Sequence, residues 1–208
     1  MPWLNEQKKK EILGKCQEAL LSIAPEYFQA TLPTEATMYS ERMFAYEFYH
    51  QIRLRFQDEI WYVNGEFRKG LYLAGVQFEQ DTVIPDIVLH RSDTLKENIA
   101  VFEIKVAPNT STSALLHDLR KLGMYTKSDN GLNFTFGALI VANQSFREVY
   151  GNAAPTEKDE IRNLIENYPR IAVWNIPIPI CSQTGSSVRL TQESLEIFRI
   201  GHELFSSP

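Results

Sequence analysis

Apolar and polar residues along this chain repeat with two different periods. A helical period, with apolar side chains three or four positions apart, runs through residues 4–23, where Lys8 and Lys9 lie on the polar side. The same period predicts four further helices, at about residues 34–56, 111–127, 156–168 and 192–205. In the first of these four, Phe44, Phe48 and Ile52 form an apolar stripe that is typical of a face packed against a core.

Short apolar runs between these helices predict the strands of a sheet. They cover residues 71–79, 82–90, 99–106, 134–142, 171–176 and, more weakly, 188–190. Only Gln80 and Asp81 separate the first two runs, which favours an antiparallel pair. The run 99–106 is almost continuously apolar, as in a strand buried on both faces. Strands that alternate with helices indicate an α/β fold: a mixed central sheet flanked by helices, with additional N- and C-terminal helices.

The bulk composition is that of an ordinary folded domain. The chain has 208 residues, of which 44% are hydrophobic and 23% charged, so we expect one domain over 1–208 with its core at about 36–176. Two cysteines, Cys16 and Cys181, and no CxxC pattern argue against a disulfide framework or a zinc site. The start of the chain lacks the apolar segment of a signal peptide, and no apolar run has the length of a membrane span. We therefore expect a cytoplasmic protein without a membrane partner.

The net charge of the chain argues against one class of function. A net charge of -5 and a pI of about 5.5 argue against a protein that coats nucleic acid by bulk positive charge. Any contact with phosphate would have to come from a local basic patch or from a bound metal ion, and a cluster of carboxylates recruits such an ion itself.

Three charged residues interrupt two neighbouring apolar runs. Asp86 lies within one run, and Glu103 and Lys105 lie within the next, on one face of their predicted strand because side chains alternate. Burying such charges without partners costs several kcal/mol, so we expect them to neutralise one another and a cation. Carboxylate oxygens are hard ligands of the kind that suits Mg²⁺ or Mn²⁺.

The sequence Pro85-Asp86, followed by Glu103-Ile104-Lys105, resembles the PD-(D/E)xK nuclease superfamily. The resemblance implies a restriction-endonuclease-like α-β-β-β-α-β core. It also implies metal-dependent hydrolysis of phosphodiester bonds in nucleic acid, with DNA the expected substrate. Asp86, Glu103 and the backbone carbonyl of Ile104 would hold Mg²⁺ or Mn²⁺. Lys105 would act on the attacking water or on the phosphate.

Two flanking features extend this resemblance, which covers about residues 36–142. The family often carries a glutamate on the helix before the sheet, a position that fits Glu47, with Glu41 as a competitor. The resemblance implies that Glu47 binds the metal ion directly or through water. Its later helix often carries a Gln-x3-Tyr pattern that faces the site. Here Lys121 and Tyr125 have that spacing, with lysine in place of glutamine, so a phosphate contact is the implied role.

Several alternatives stay open at this stage. Asp86 after a proline is also typical of a turn, Glu103 and Lys105 of an exposed cross-strand pair, and Asp118 and Lys121 of a surface i, i+3 pair. The chain could be a catalytically silent module that binds nucleic acid or a partner protein, or an unrelated α/β domain with an accidental motif. DNA or RNA, and a homodimer or a partner subunit, are not distinguished.

Overall fold

The computed structural model describes residues 4–32, 34, 36–57, 60–65, 84–91, 97–127, 132–177 and 190–198. Within these ranges the helices are α1 (Glu6–Leu21), α2 (Glu41–Arg55), α3 (Thr112–Thr126), α4 (Phe146–Asn152) and α5 (Pro155–Asn167). The strands are β1 (Ala30–Thr31), β2 (Thr37–Met38), β3 (Trp61–Gly65), β4 (Ile87–Arg91), β5 (Asn98–Lys105), β6 (Phe136–Ala142), β7 (Ile171–Ile176) and β8 (Glu196–Phe198). None of the described helices combines the length and the apolarity that crossing a membrane requires.

Six strands form one mixed sheet in the order β3-β4-β5-β6-β7-β8. The pairs β3–β4, β4–β5 and β7–β8 are antiparallel, whereas β5, β6 and β7 run parallel. The two parallel connections contain the helices α3 to α5, as parallel neighbours require. The expected α/β class and mixed central sheet are confirmed.

The sheet separates two apolar cores. On one face, Phe44 and Phe48 of α2 pack with Phe102 of β5 in a core that α1 also joins. On the other face, Val101 of β5 packs with Leu119 of α3 in a core that α5 completes. Neighbouring residues of β5 therefore enter opposite cores, which explains why this strand is apolar almost throughout.

Polar side chains define where three of the long helices begin. The side chains of Asn5, Ser40 and Ser111 accept hydrogen bonds from the backbone N–H groups of Lys8, Met43 and Ala114, at 2.8, 3.3 and 3.2 Å. These N-caps satisfy donors that the first helical turn leaves free. The cap at Ser111 matters for the site, because it fixes the start of α3 and hence which of its residues face β5.

Two predicted helices differ from the observed elements. The second helix begins at Glu41 and not at about residue 34, because Ser40 caps it and Thr37–Met38 pairs with Ala30–Thr31 instead. The helix predicted for 192–205 is wrong over the part that the structure describes. There, Gln192–Ser194 is one 3-10 turn and β8 follows, since backbone pairing with β7 outweighs the helical period.

Besides the short strands β1, β2 and β8, two described elements were not predicted, β3 and α4. Trp61 and Val63 of β3 are buried, but the strand is only five residues long and its apolar alternation is brief. The predicted strand 71–79, its turn at Gln80 and Asp81, and almost all of the predicted strand 188–190 lie outside the described residues. Of that last segment only Leu190 is described, and it is not in a strand.

Candidate active site

Asp86 immediately precedes β4 and lies beside the C-terminal end of β5. The backbone N–H of Ile104 donates a hydrogen bond to Asp86 Oδ2 at 2.8 Å. Asp86 is therefore tied to the neighbouring strand rather than capping its own turn. Because Ile104 stands between Glu103 and Lys105, this one bond brings the aspartate next to both of them.

Glu103 and Lys105 extend from β5 towards helix α3. The Glu103 side chain is almost fully buried, with 1% of its surface exposed, and the Lys105 side chain keeps 19%. These residues are therefore not an exposed cross-strand pair. A carboxylate this deep in a protein is stable only when charged or hydrogen-bonding partners surround it.

Helix α3 supplies those partners through Asp118 and Lys121. Lys121 Nζ lies 2.5 Å from Glu103 Oε2 and 3.3 Å from Asp118 Oδ1. Lys105 Nζ lies 2.9 Å from Asp118 Oδ2. The side chain of Asp118 is 4% exposed, so Asp118 and Lys121 form part of a buried network and not a surface pair.

Asp118 was not foreseen as a member of the site. A signal for it exists in the sequence, because Leu115, Leu119 and Leu122 surround it on the apolar stripe of α3. An acidic residue on the apolar face of a helix is expected to be buried, even when a charged residue of the same helix lies three positions away. Spacing to Lys121 alone favoured the surface interpretation.

Burial and mutual repulsion raise the pKa values of the acids in this network. Burial raises the pKa of Glu103 well above its ordinary value, and the negative charge of Asp86 adds to the rise, against the attraction of Lys121. Burial also raises the pKa of Asp86, although the Ile104 N–H and both lysines oppose that rise. Both carboxyl groups therefore favour a proton or a cation more than exposed carboxyl groups do.

The two lysines remain firmly cationic. Burial lowers the pKa of Lys105, but the carboxylates of Asp118 and Glu41 more than compensate, so that the net pKa is raised. For Lys121, burial is likewise outweighed, chiefly by Glu103, and the net pKa is again raised. Both side chains therefore serve as permanent positive charges near neutral pH.

Helix α2 brings Glu41 to the site, and not Glu47. Glu41 Oε2 lies 3.4 Å from Lys105 Nζ, and Glu41 shares a cavity of about 540 Å³ with Asp86. The Glu47 carboxylate instead accepts a hydrogen bond from Gln51 at 2.7 Å, and Glu47 does not line that cavity. Of the two glutamates that the sequence offered, the structure brings Glu41 into the cluster.

Tyr125 lies deeper than a phosphate contact requires. Only 4% of the residue is exposed, and its ring packs against Phe134 with the centroids 6.3 Å apart. Burial and the negative charges of Glu103, Asp86 and Asp118 raise the pKa of its hydroxyl. Tyr125 therefore supports the site from the core side, whereas Lys121 binds Glu103.

The donor atoms fit a hard divalent cation. Within the described ranges, Glu103 Oε1 is buried and has no hydrogen-bond partner, so it offers a free oxygen next to Asp86. No three side chains of His, Cys, Asp or Glu in the described part of the chain form a metal-binding group as they stand. The expected ligand set was Asp86, Glu103, Glu47 and the Ile104 carbonyl. Glu47 does not line the cavity that contains Asp86, so the set that remains at the site is two carboxylates and one backbone carbonyl. Mg²⁺ keeps several water molecules in such sites.

Comparisons of the chain with protein-family models, with curated proteins and with solved structures found no match. The functional argument therefore rests on the residues of this chain and their geometry.

Proposed function

We propose that this chain is a metal-dependent nuclease that hydrolyses phosphodiester bonds in DNA at a site formed by Asp86, Glu103 and Lys105. The observation that carries the proposal is the 2.8 Å hydrogen bond from the Ile104 N–H to Asp86 Oδ2, which sets the aspartate beside the Glu103-Ile104-Lys105 segment. The element order α2-β3-β4-β5-α3-β6 supports a restriction-endonuclease-like core.

Each residue has a defined task in this proposal. Asp86, Glu103 and the Ile104 carbonyl would hold Mg²⁺ or Mn²⁺, which supplies charge stabilisation and an activated water when bound. Lys105 is held by Asp118 Oδ2 at 2.9 Å and by Glu41 Oε2 at 3.4 Å. An ammonium fixed in this way can orient the attacking water and stabilise the charge that develops on the phosphate.

The rim of the cavity suits a nucleic acid. Arg42, Tyr46 and Tyr49 of α2 line the same cavity as Asp86, and 63% of the Tyr46 surface is exposed. An arginine can pair with phosphate oxygens, and an exposed tyrosine can stack on a base. These side chains offer local contacts that the net charge of -5 does not provide.

The test is a cleavage assay on circular and linear DNA, single- and double-stranded, with Mg²⁺, Mn²⁺ or EDTA. Wild type is compared with Asp86→Ala and Lys105→Ala, and with Glu166→Gln, which changes an exposed acid on α5. We expect metal-dependent cleavage that both site variants reduce on the order of a hundredfold or more and that the control retains. Linear products from circular DNA would show internal cleavage. A double-strand cut would indicate a homodimer or a partner subunit.

Cleavage that persists in EDTA, or in folded Asp86→Ala protein, would contradict the proposal. If none of the DNA substrates is cut, the same series on RNA decides the substrate class.

We also propose a reducing cytoplasm as the location, which suits Cys16, a free thiol buried in the core.

A second function has one observation in its favour. Lys121 and Lys105 pair with Glu103 and Asp118, so much of the negative charge is neutralised without a metal ion. This balance suits a catalytically silent module that binds nucleic acid or a partner protein. Such a module would bind without cleaving, and divalent ions would not change its melting temperature.

A further inference from the structure

The Lys121 ammonium occupies one of the two oxygens of the Glu103 carboxylate that a cation would bind. Its ammonium lies 2.5 Å from Glu103 Oε2 and 3.3 Å from Asp118 Oδ1, and its side chain is only 12% exposed. One oxygen of Glu103 is thus paired with an ammonium. The other, Oε1, is buried and has no hydrogen-bond partner among the residues that the structure describes.

The charges of the cluster do not cancel. Asp86, Glu103, Asp118 and Glu41 bring four carboxylates, whereas Lys105 and Lys121 bring two ammonium groups. A cation bound between Asp86 and Glu103 would correct this deficit. It would also lie close to the Lys121 ammonium, and like charges at such distances repel each other strongly where water is scarce.

We propose that Lys121 is an internal counter-ion of Glu103, which a divalent cation must displace, and that Asp118 holds the displaced ammonium. This inference rests on the proposed metal-dependent function, because it concerns the same carboxylates. It assigns Lys121 a role in regulating metal occupancy, in place of the phosphate contact that the sequence implied.

The geometry provides a place for the displaced group. Asp118 lies one helical turn before Lys121 on α3 and already contacts its ammonium at 3.3 Å. A lysine side chain has a flexible four-carbon stem, so its ammonium can leave Glu103 and stay on Asp118. Lys105 cannot take this part as easily, because Asp118 Oδ2, Glu41 Oε2 and the Ile104 carbonyl hold its ammonium.

The test measures metal binding without nucleic acid. Mn²⁺ is titrated by calorimetry into EDTA-treated and dialysed protein at a mildly alkaline pH, so that a proton does not simply replace the ammonium on Glu103. Lys121→Gln keeps a hydrogen-bond donor without the charge, and Lys121→Met removes both. The matched control is Lys127→Met, which removes a lysine charge at the exposed C-terminal end of the same helix.

We expect both Lys121 variants to bind Mn²⁺ about tenfold more tightly than wild type, the size expected for one charge-assisted hydrogen bond that no longer has to be broken. Lys127→Met should match wild type. Circular dichroism establishes that each variant is folded, and Lys121→Gln keeps the test usable if Lys121→Met does not fold.

The role of Asp118 is tested by a double-mutant cycle. Asp118→Asn should weaken Mn²⁺ binding more in the wild-type background than in the Lys121→Gln background, because only the former needs an acceptor for the ammonium. Equal effects in both backgrounds would refute the acceptor role, since Asp118 would then act through its charge alone.

The outcomes separate this inference from the nuclease proposal. Unchanged or weaker binding in folded Lys121→Gln overturns the inference, even if wild type cleaves DNA. Binding in Lys121→Gln but not in wild type supports the inference and favours the silent module. No binding in any variant overturns both.

Discussion

Glu103 is a buried carboxylate at the centre of the candidate site. It leaves the face of β5 that packs on α3, it is 1% exposed, and it contacts Lys121. Its other oxygen has no hydrogen-bond partner among the residues that the structure describes. A glutamine would fit the same space without a charge, so burial alone does not explain an acid at this position. A negative charge at this position is functional if it binds a cation. Its energetic cost should appear as a dependence of the free energy of unfolding on pH.

That dependence can be measured in EDTA. Because the pKa of Glu103 in the folded protein is raised above its ordinary value of 4.5, the folded state binds more protons than the unfolded state above that pH. Stability should therefore fall as pH rises from about 4.5 through the folded-state pKa, by at most about 1.4 kcal/mol per pH unit for one group.

Glu103→Gln should flatten this part of the pH profile, measured as the midpoint of thermal or urea unfolding. Asp86, whose pKa is also raised, would contribute the slope that remains. A profile that Glu103→Gln leaves unchanged would mean that Glu103 titrates as it does in the unfolded chain.

Asn143 holds the region beyond β6 together. It adopts a φ of 60°, in the left-handed region, and its side-chain amide donates to the carbonyls of Phe28 and Val106 at 2.9 Å each. Asn143→Gly keeps the backbone conformation but loses both hydrogen bonds, whereas Asn143→Ala also strains the backbone. We expect urea unfolding to show losses of about 2 kcal/mol for glycine and about 3 kcal/mol for alanine. Equal losses would show that the backbone conformation contributes nothing.

Helix α2 connects the core with the site because one of its faces packs on the core and a neighbouring face lines the cavity. Phe44, Phe48 and Ile52 face the core, as the sequence predicted. Glu41 lies on a neighbouring face that lines the cavity, and so do Ala45 and Tyr49 one and two turns later. Glu47 falls on neither face, since two residues beyond Ala45 correspond to about 200° of rotation around a helix.

The two glutamates of α2 provide a matched pair. Glu41→Gln should lower the rate of metal-dependent cleavage on the order of tenfold to a hundredfold, because it removes a partner of Lys105 at the site. Glu47→Gln should leave the rate within a factor of about two, because its carboxylate pairs only with Gln51 among the contacts described. If Glu47→Gln proved the more damaging change, α2 would be turned differently in the active protein.

The molecule as a whole combines a rigid sheet with an unfavourable charge for its proposed substrate. Apolar cores cover both faces of β5, β6 and β7, so packing holds the backbone segments that carry the carboxylates and lysines of β5 and α3. The net charge of -5 repels DNA, and screening by salt would reduce that repulsion. Attraction must therefore come from the bound cation and from the rim of the cavity.

Binding of DNA should accordingly depend on divalent ions. With the cleavage-deficient Lys105→Ala variant, we expect the affinity for DNA to be at least about tenfold higher with Mn²⁺ than with EDTA, measured by fluorescence anisotropy at constant ionic strength. Asp86→Ala, which loses a proposed ligand, should show little difference between the two conditions. Strong binding in EDTA would assign recognition to the protein surface and would favour the silent module.

Local patterns in the sequence were enough to predict most of the elements. The strand Ile171–Ile176 was predicted at its observed bounds, and α3 within one residue at each end, because Ser111 provides a cap and a leucine stripe provides the face. The motif residues Asp86, Glu103 and Lys105 stood out because charges inside apolar runs are costly. These signals arise from neighbours along the chain, so no knowledge of packing is needed to find them.

Long-range contacts decided what those patterns left open. The choice of Glu41 over Glu47 depends on how α2 is rotated on its core, and Asp118 joins the site only because α3 packs against β5. The pairing of β8 with β7 replaced a predicted helix for the same reason. The partners of a buried carboxylate are residues that are distant in the chain and close in the folded structure. A periodic pattern of apolar residues does not specify which distant residues these are.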